Sequence, residues 1–66
     1  MISRITGREK QILRLINERL TNKEIAVRLD ISTHTVENHC RKIYAKLGVK
    51  DRYEAVDVAK KSGYLE

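Results

Sequence analysis

Apolar residues recur at helical spacing along almost the whole chain, and nowhere do they alternate with period two. Ile12, Leu13, Ile16 and Leu20 fall on one face of a helix, with Leu15 at the edge of the stripe. Ile25, Ala26 and Leu29 make a shorter stripe. Val36, Cys40, Ile43 and Leu47 are spaced by four, three and four residues, which makes one continuous seam. Ala55, Val56, Val58 and Ala59 make the last. Start signals precede each stripe. Thr6-Gly-Arg-Glu9, Thr21-Asn-Lys-Glu24 and Asp51-Arg-Tyr-Glu54 are capping-box patterns, in which the first side chain and the last carboxylate reciprocally satisfy free backbone N–H groups. Ser32 is a good N-cap for the third helix. The pattern predicts an all-α fold with no sheet. Its first helix spans about residues 7–19, and its second is short and opens at Thr21. The third runs from Ser32 to about Leu47 and stops at Gly48; the fourth opens at Asp51 and ends near Gly63. Ile5 precedes the first cap as a hydrophobic staple, and Asp30-Ile31-Ser32 forms a turn whose isoleucine plugs the angle between the second and third helices.

Length narrows the picture. At 66 residues the chain is one domain near the lower limit for folding without staples. Its single cysteine, Cys40, excludes an intrachain disulfide and points to a reduced, cytosolic setting. No apolar run approaches the roughly 18 residues of a membrane span, and no signal-peptide core opens the chain, so a soluble, cytoplasmic protein is expected. Fourteen Lys and Arg against nine Asp and Glu give a net charge of +5, which favours polyanionic partners. That signal becomes useful only if the charges gather on one face.

The third helix carries the most suggestive polar face. Opposite its apolar seam lie His34, Asn38, Arg41 and Ala45, with Thr33 and Glu37 at the margin. Asn can bridge adenine N6 and N7, Arg can grip guanine O6 and N7, and Glu can accept from a cytosine amine. Lys42 and Lys46 flank this face as phosphate candidates, and the capped start of the second helix offers backbone N–H groups with Asn22 and Lys23. On composition alone a solvated helix face is the commoner source of such residues. It loses ground because this face sits on the second helix of a helix-turn-helix, the arrangement that braces one helix on a DNA backbone while the other enters the major groove.

Over residues 5 to about 60 the chain resembles the LuxR-type (FixJ/NarL- or GerE-like) helix-turn-helix domains. The residues that carry the resemblance are Ile5-Thr6, Arg8-Glu9, Ile12-Leu13, Asn22-Lys23-Glu24-Ile25-Ala26, Leu29, Ile31-Ser32, Thr35-Val36, His39, Ile43, Lys46-Leu47-Gly48-Val49, Arg52 and Glu54-Ala55. The resemblance implies that residues 1–66 form a four-helix DNA-binding domain with its helix-turn-helix at about 22–41. It implies a bacterial transcription regulator bound to double-stranded DNA, usually as a homodimer on an inverted repeat through the fourth helix. A phospho-receiver or ligand-binding domain commonly lies N-terminal to such a domain. Base-reading positions of the family fall on Glu37, Asn38 and Arg41, to which the outer-face reading adds His34. Backbone-contacting positions fall on Lys23, Thr35, Lys46 and Arg52, joined by Asn22, Thr33 and Lys42. Val58 and Tyr64 are the candidate dimer contacts. Two departures stand out: Glu37 replaces a common Lys and repels phosphate unless committed to a cytosine or to Arg41, and Gly7 replaces a common Pro and loosens the first turn.

Other chemistry fares worse. His39 and Cys40 are neighbours that diverge by about 100° on a helix, so they make no nucleophile–base pair. Cys40 reads as a core residue, and His39 as packing on helix two or donating to a phosphate. His34, Glu37 and Cys40 drift around the helix and lack a fourth ligand, so neither metal nor cofactor is expected. Tyr44, Tyr53 and Tyr64 are too dispersed for an RNA-stacking platform, and packing is expected of Tyr44 and Tyr53. No paired acid–base constellation supports an enzyme. The rivals are a protein-interaction module docking on a partner such as RNA polymerase, and region 4 of sigma factors. The tight Lys-Leu-Gly-Val exit and short fourth helix favour the LuxR type.

Overall fold

Each of the four apolar stripes becomes a helix in the computed structural model, which describes residues 4–65. The helices are α1 (Gly7–Asn17), α2 (Asn22–Leu29), α3 (Thr33–Leu47) and α4 (Arg52–Lys61), and no strand occurs among the described residues. Two capping boxes close reciprocally. The Thr6 N–H donates to Glu9 Oε1 at 2.8 Å while the Glu9 N–H donates to Thr6 Oγ1 at 3.1 Å, and Thr21 and Glu24 repeat the pair with the same distances. Ser32 accepts from the Thr35 N–H at 3.0 Å. The third box forms only by half: Asp51 accepts from the Glu54 N–H at 2.9 Å, and the Glu54 carboxylate makes no return bond.

The stripes meet in one core of Ile5, Ile12, Leu13, Leu15, Ile16, Ile25, Ala26, Val36, Cys40, Ile43, Ala55, Ala59 and Leu65. Leu15, expected at the stripe's edge, is inside it, whereas Leu47 and Ile31 are half-buried. From α4 only the two alanines reach full burial, and Val56 and Val58 stay half-buried. Tyr53, expected to pack, is 80% exposed. It leaves the helix about 120° or more from the Ala55–Ala59 face, so the geometry that buries the alanines turns it to solvent. Tyr64 closes the other end of α4, half-buried, with the Lys10 ammonium 5.8 Å from its ring centroid.

α2 packs on α3, and α1 and α4 pack on each other and on α3. The apolar seam of α3 therefore faces three helices, and its opposite side faces none. The first helix ends at Asn17, two residues short of the expected limit, because Arg19 adopts a left-handed conformation with φ of 69°.

Candidate nucleic-acid interface

The outer face of α3 assembles as its periodicity requires. His34, Glu37, Arg41 and Lys42 are exposed and Asn38 is half-buried, with exposed Thr33 and half-buried Thr35 in the first turn. Arg41 Nη1 donates to Asn38 Oδ1 at 3.2 Å. The two side chains best suited to bidentate base contacts are thus held one turn apart on one face. The Arg41 guanidinium goes to Asn38 and not to Glu37, the alternative partner one turn away. Thr35 Oγ1 shares a 2.8 Å hydrogen bond with Ser32 Oγ, which fixes the hydroxyl at the start of α3. Among the described residues Lys23, Arg41 and Lys42 form no ion pair, so their charges stay available to a polyanion.

Two other cations from the phosphate set are placed quite differently. Lys46 Nζ donates to both oxygens of Glu9, at 2.8 and 2.9 Å, and to the Arg4 carbonyl at 3.1 Å, which uses all three of its donors. Glu9 is 3% exposed. Burial works against its charge, but the hydrogen bonds from Lys46 and Thr6 and the Lys46 charge outweigh it and hold the carboxyl below its ordinary value. This ion pair joins the capped start of α1 to the last turn of α3. Arg52 Nη1 donates to the Leu20 carbonyl at 2.7 Å and Nη2 to Asn22 Oδ1 at 3.3 Å. The same Asn22 oxygen lies 3.9 Å from the thiol of Cys40. Arg52 and Asn22 thereby tie the start of α4 to the start of α2, while the N–H groups of Asn22 and Lys23, ahead of the capped Glu24 N–H, remain to meet a phosphate.

Burial pushes the Cys40 thiol up, so it stays a neutral donor in this cluster. Tyr44 is raised to about 12, by burial first and then by its contact with Cys40. His39 is half-buried on the neighbouring turn. Of the dimer candidates, Val58 and Tyr64 are both half-buried, and Tyr64 packs against the core. Reading the sequence missed Glu9 as the anchor of Lys46. The two lie 37 residues apart, and the only local hint was a glutamate also used as a cap.

No described group of His, Cys, Asp and Glu is arranged to hold a metal ion, and no helix among the described residues is long and apolar enough to cross a membrane. Comparison with known proteins agrees with the geometry. Residues 3–59 match the model of the luxR family of bacterial regulatory proteins. An HTH-type transcriptional regulator of Mycobacterium tuberculosis (strain ATCC 25618 / H37Rv) is 44% identical over 59 residues, which cover 89% of this chain and 7% of that protein. The HTH-type transcriptional regulator MalT of Yersinia pestis (strain Pestoides F) shows the same identity over the same length, covering 6% of its chain. The chain thus spans less than a tenth of these relatives. Among solved structures, the transcription factor GerE superposes with a TM-score of 0.87 at 38% identity, over 92% of this chain and 91% of that one. The response regulator ChrA of a heme-sensing two-component system superposes with a TM-score of 0.93 at 35% identity, over 96% of this chain and 31% of that one. With a helix-turn-helix whose second helix turns a polar, cation-bearing face outward, this chain belongs to the luxR family of bacterial regulatory proteins, as a DNA-binding helix-turn-helix domain.

Proposed function

We propose that this domain reads double-stranded DNA with α3 in the major groove, as one half of a homodimer on an inverted repeat, within a cytoplasmic bacterial transcription regulator that acts on RNA polymerase once bound. The observation that carries the reading is the unpartnered face of α3, where Arg41 and Asn38 are joined at 3.2 Å with Glu37 and His34 beside them. Arg41 suits a guanine, Asn38 an adenine and Glu37 a cytosine amine, and His34 extends the same row. Lys23, Thr33, Thr35 and Lys42 hold phosphates on either side, and the N-terminal N–H groups of α2 at Asn22 and Lys23 receive another. Lys46 and Arg52 support this surface from behind through the helix junctions they close. Dimerisation through α4 would use the flank that carries Val58.

Selection from a randomised duplex library at about 150 mM salt tests the reading, because specific recognition survives there while purely electrostatic binding fades. An enriched inverted repeat is the expected result. Enrichment of nothing, from a domain shown to be folded, would remove sequence-specific reading by this domain. Arg41→Ala should then cost about 1–3 kcal/mol on the selected site and relax preference at one base pair. An equal loss on random DNA would take Arg41 out of base reading.

A further inference from the structure

One oxygen atom joins three helices at the start of the helix-turn-helix. Asn22 Oδ1, on the first residue of α2, accepts from Arg52 Nη2, on the first residue of α4, at 3.3 Å. The Cys40 thiol of α3 approaches the same oxygen at 3.9 Å. Arg52 Nη1 holds the Leu20 carbonyl at 2.7 Å, so one guanidinium grips the chain on both sides of Thr21, the N-cap of α2. Cys40 is 18 residues from Asn22 and Arg52 is 30, so tertiary packing, and not its own helix, decides how this amide is turned.

The two donors fix its direction. A guanidinium has no acceptor, and burial keeps the thiol protonated. Turning the amide over would set its NH2 group against Arg52, donor against donor. Asn22 therefore keeps its oxygen in the junction and its nitrogen out of it. Among the described residues Asn22 Nδ2 donates to no protein group, and no buried side-chain nitrogen or oxygen lacks a partner, so on this half-buried residue the nitrogen reaches solvent. It does so on the same first turn as the backbone N–H groups of Asn22 and Lys23, which stand ahead of the capped Glu24 N–H, and as the ammonium of Lys23, which has no ion pair among the described residues.

We propose that Arg52 is a positioning residue for DNA binding that acts through Asn22, with the Cys40 thiol as the second clamp. Arg52 does not touch the duplex. By holding the asparagine oxygen it turns both Nδ2 hydrogens toward the phosphate that meets the start of α2. The same oxygen is tied to Cys40, one residue ahead of Arg41 on α3, so the phosphate contact and the base-reading face are kept in one register. A neutral amide displaces no counterion, so the contact adds affinity without steepening the salt dependence. The assignment rests on the DNA reading above and on the direction of this one amide.

The side-chain amides report on this directly, since the chain has only four, at Gln11, Asn17, Asn22 and Asn38. Nitrogen-labelled protein is titrated with a short duplex of mixed sequence and followed by NMR. The Asn22 Nδ2 protons should move downfield together with the Lys23 backbone N–H, while Gln11 and Asn17, both on α1, stay still. In Arg52→Gln, Lys23 should still move, the Asn22 protons should not, and affinity should fall about three- to tenfold, as for one lost hydrogen bond. Asn22 protons that move in Arg52→Gln as they do in the parent, at saturating duplex, would overturn the proposal. Asn22→Asp separates binding from folding. Its carboxylate accepts from Arg52 and suits the first turn of a helix, so Tm should hold or rise, yet affinity should fall about tenfold or more because the donors are gone. Gln11→Glu adds the same charge on α1 and should cost far less. Equal losses in these two variants, or Asn22→Asp binding as tightly as the parent, would also reject the role of Asn22. If neither Lys23 nor Arg41 moves in the parent, the DNA reading itself fails and this assignment falls with it.

Discussion

The outer face of α3 and the junctions behind it use the same side-chain chemistry to opposite ends. Arg41 and Lys42 are exposed on α3 without an ion-pair partner among the described residues, whereas Lys46, one turn beyond Lys42, has all its donors spent on Glu9 and Arg4. Arg52 is likewise spent on Leu20 and Asn22. Position around the helix decides the difference. Lys42 lies about 130° from the centre of the apolar seam and Lys46 about 90°, near enough for its stem to run along the core and meet the start of α1. A basic domain this small needs cations in both roles, because few apolar residues remain to lock three helices against a fourth.

Breaking the locked side should have the largest effect. Lys46→Met leaves the buried Glu9 carboxylate without its cation, and about 2–3 kcal/mol of stability should be lost, below the full cost of a wholly buried pair because Lys46 itself is 21% exposed. For a domain of this size that is a fall in Tm on the order of 10–20 °C. Lys42→Ala, on the unpartnered side, should stay within about 0.5 kcal/mol of the parent. Thermal unfolding of the two variants side by side would dissolve the distinction if they fell equally.

The same contrast predicts a difference in salt dependence. If Lys23 and Lys42 are the cations on phosphates, log K should fall against log salt with a slope of about −2 per subunit; adding Lys46 and Arg52 would bring it to about −4. Lys42→Ala should therefore flatten the slope by about one. Arg52→Gln should lower affinity while leaving the slope near its parent value, since it loosens the start of α2 without removing a phosphate contact. A slope flattened equally by both variants would return Arg52 to the phosphate set.

What was legible in the sequence was local. Caps, stripes and the outer face of α3 depend on residues within one or two turns, and Thr6, Thr21 and Ser32 cap as their patterns predict. What was illegible involves distance or a conformation that no residue type announces. Lys46 meets Glu9 across 37 residues, and Arg52 meets Leu20 across 32. The early end of α1 came from an arginine in a glycine's conformation. Tyr53 was misjudged because an aromatic next to an apolar stripe reads as packing, whereas α4 buries its two alanines and draws close through them. The third capping pattern closed by half, so the motif predicted the cap and not its reciprocity.

The smallest effect is the acid limb of stability, and its sign follows from the locked side. Glu9 titrates below its ordinary value of 4.5 in the folded chain, because Lys46 and Thr6 together overcome the penalty of burial. The folded state then holds fewer protons than the unfolded state near that pH, so stability rises with pH there. The contribution is complete above 4.5 and is lost as pH falls through the lower folded value. Glu24 shifts in the same direction, through its hydrogen bonds with Thr21, but it is fully solvent-exposed and adds little to stability. Denaturant unfolding between neutral pH and the acid range should therefore show stability declining below about pH 4.5, with the decline nearly independent of salt. In Glu9→Gln, overall stability should drop and the acid decline should become shallower, since the group that loses its charge is gone. An acid limb as steep in Glu9→Gln as in the parent would mean that the junction of α1 and α3 is held by packing, and that Lys46 is as available to DNA as Lys42.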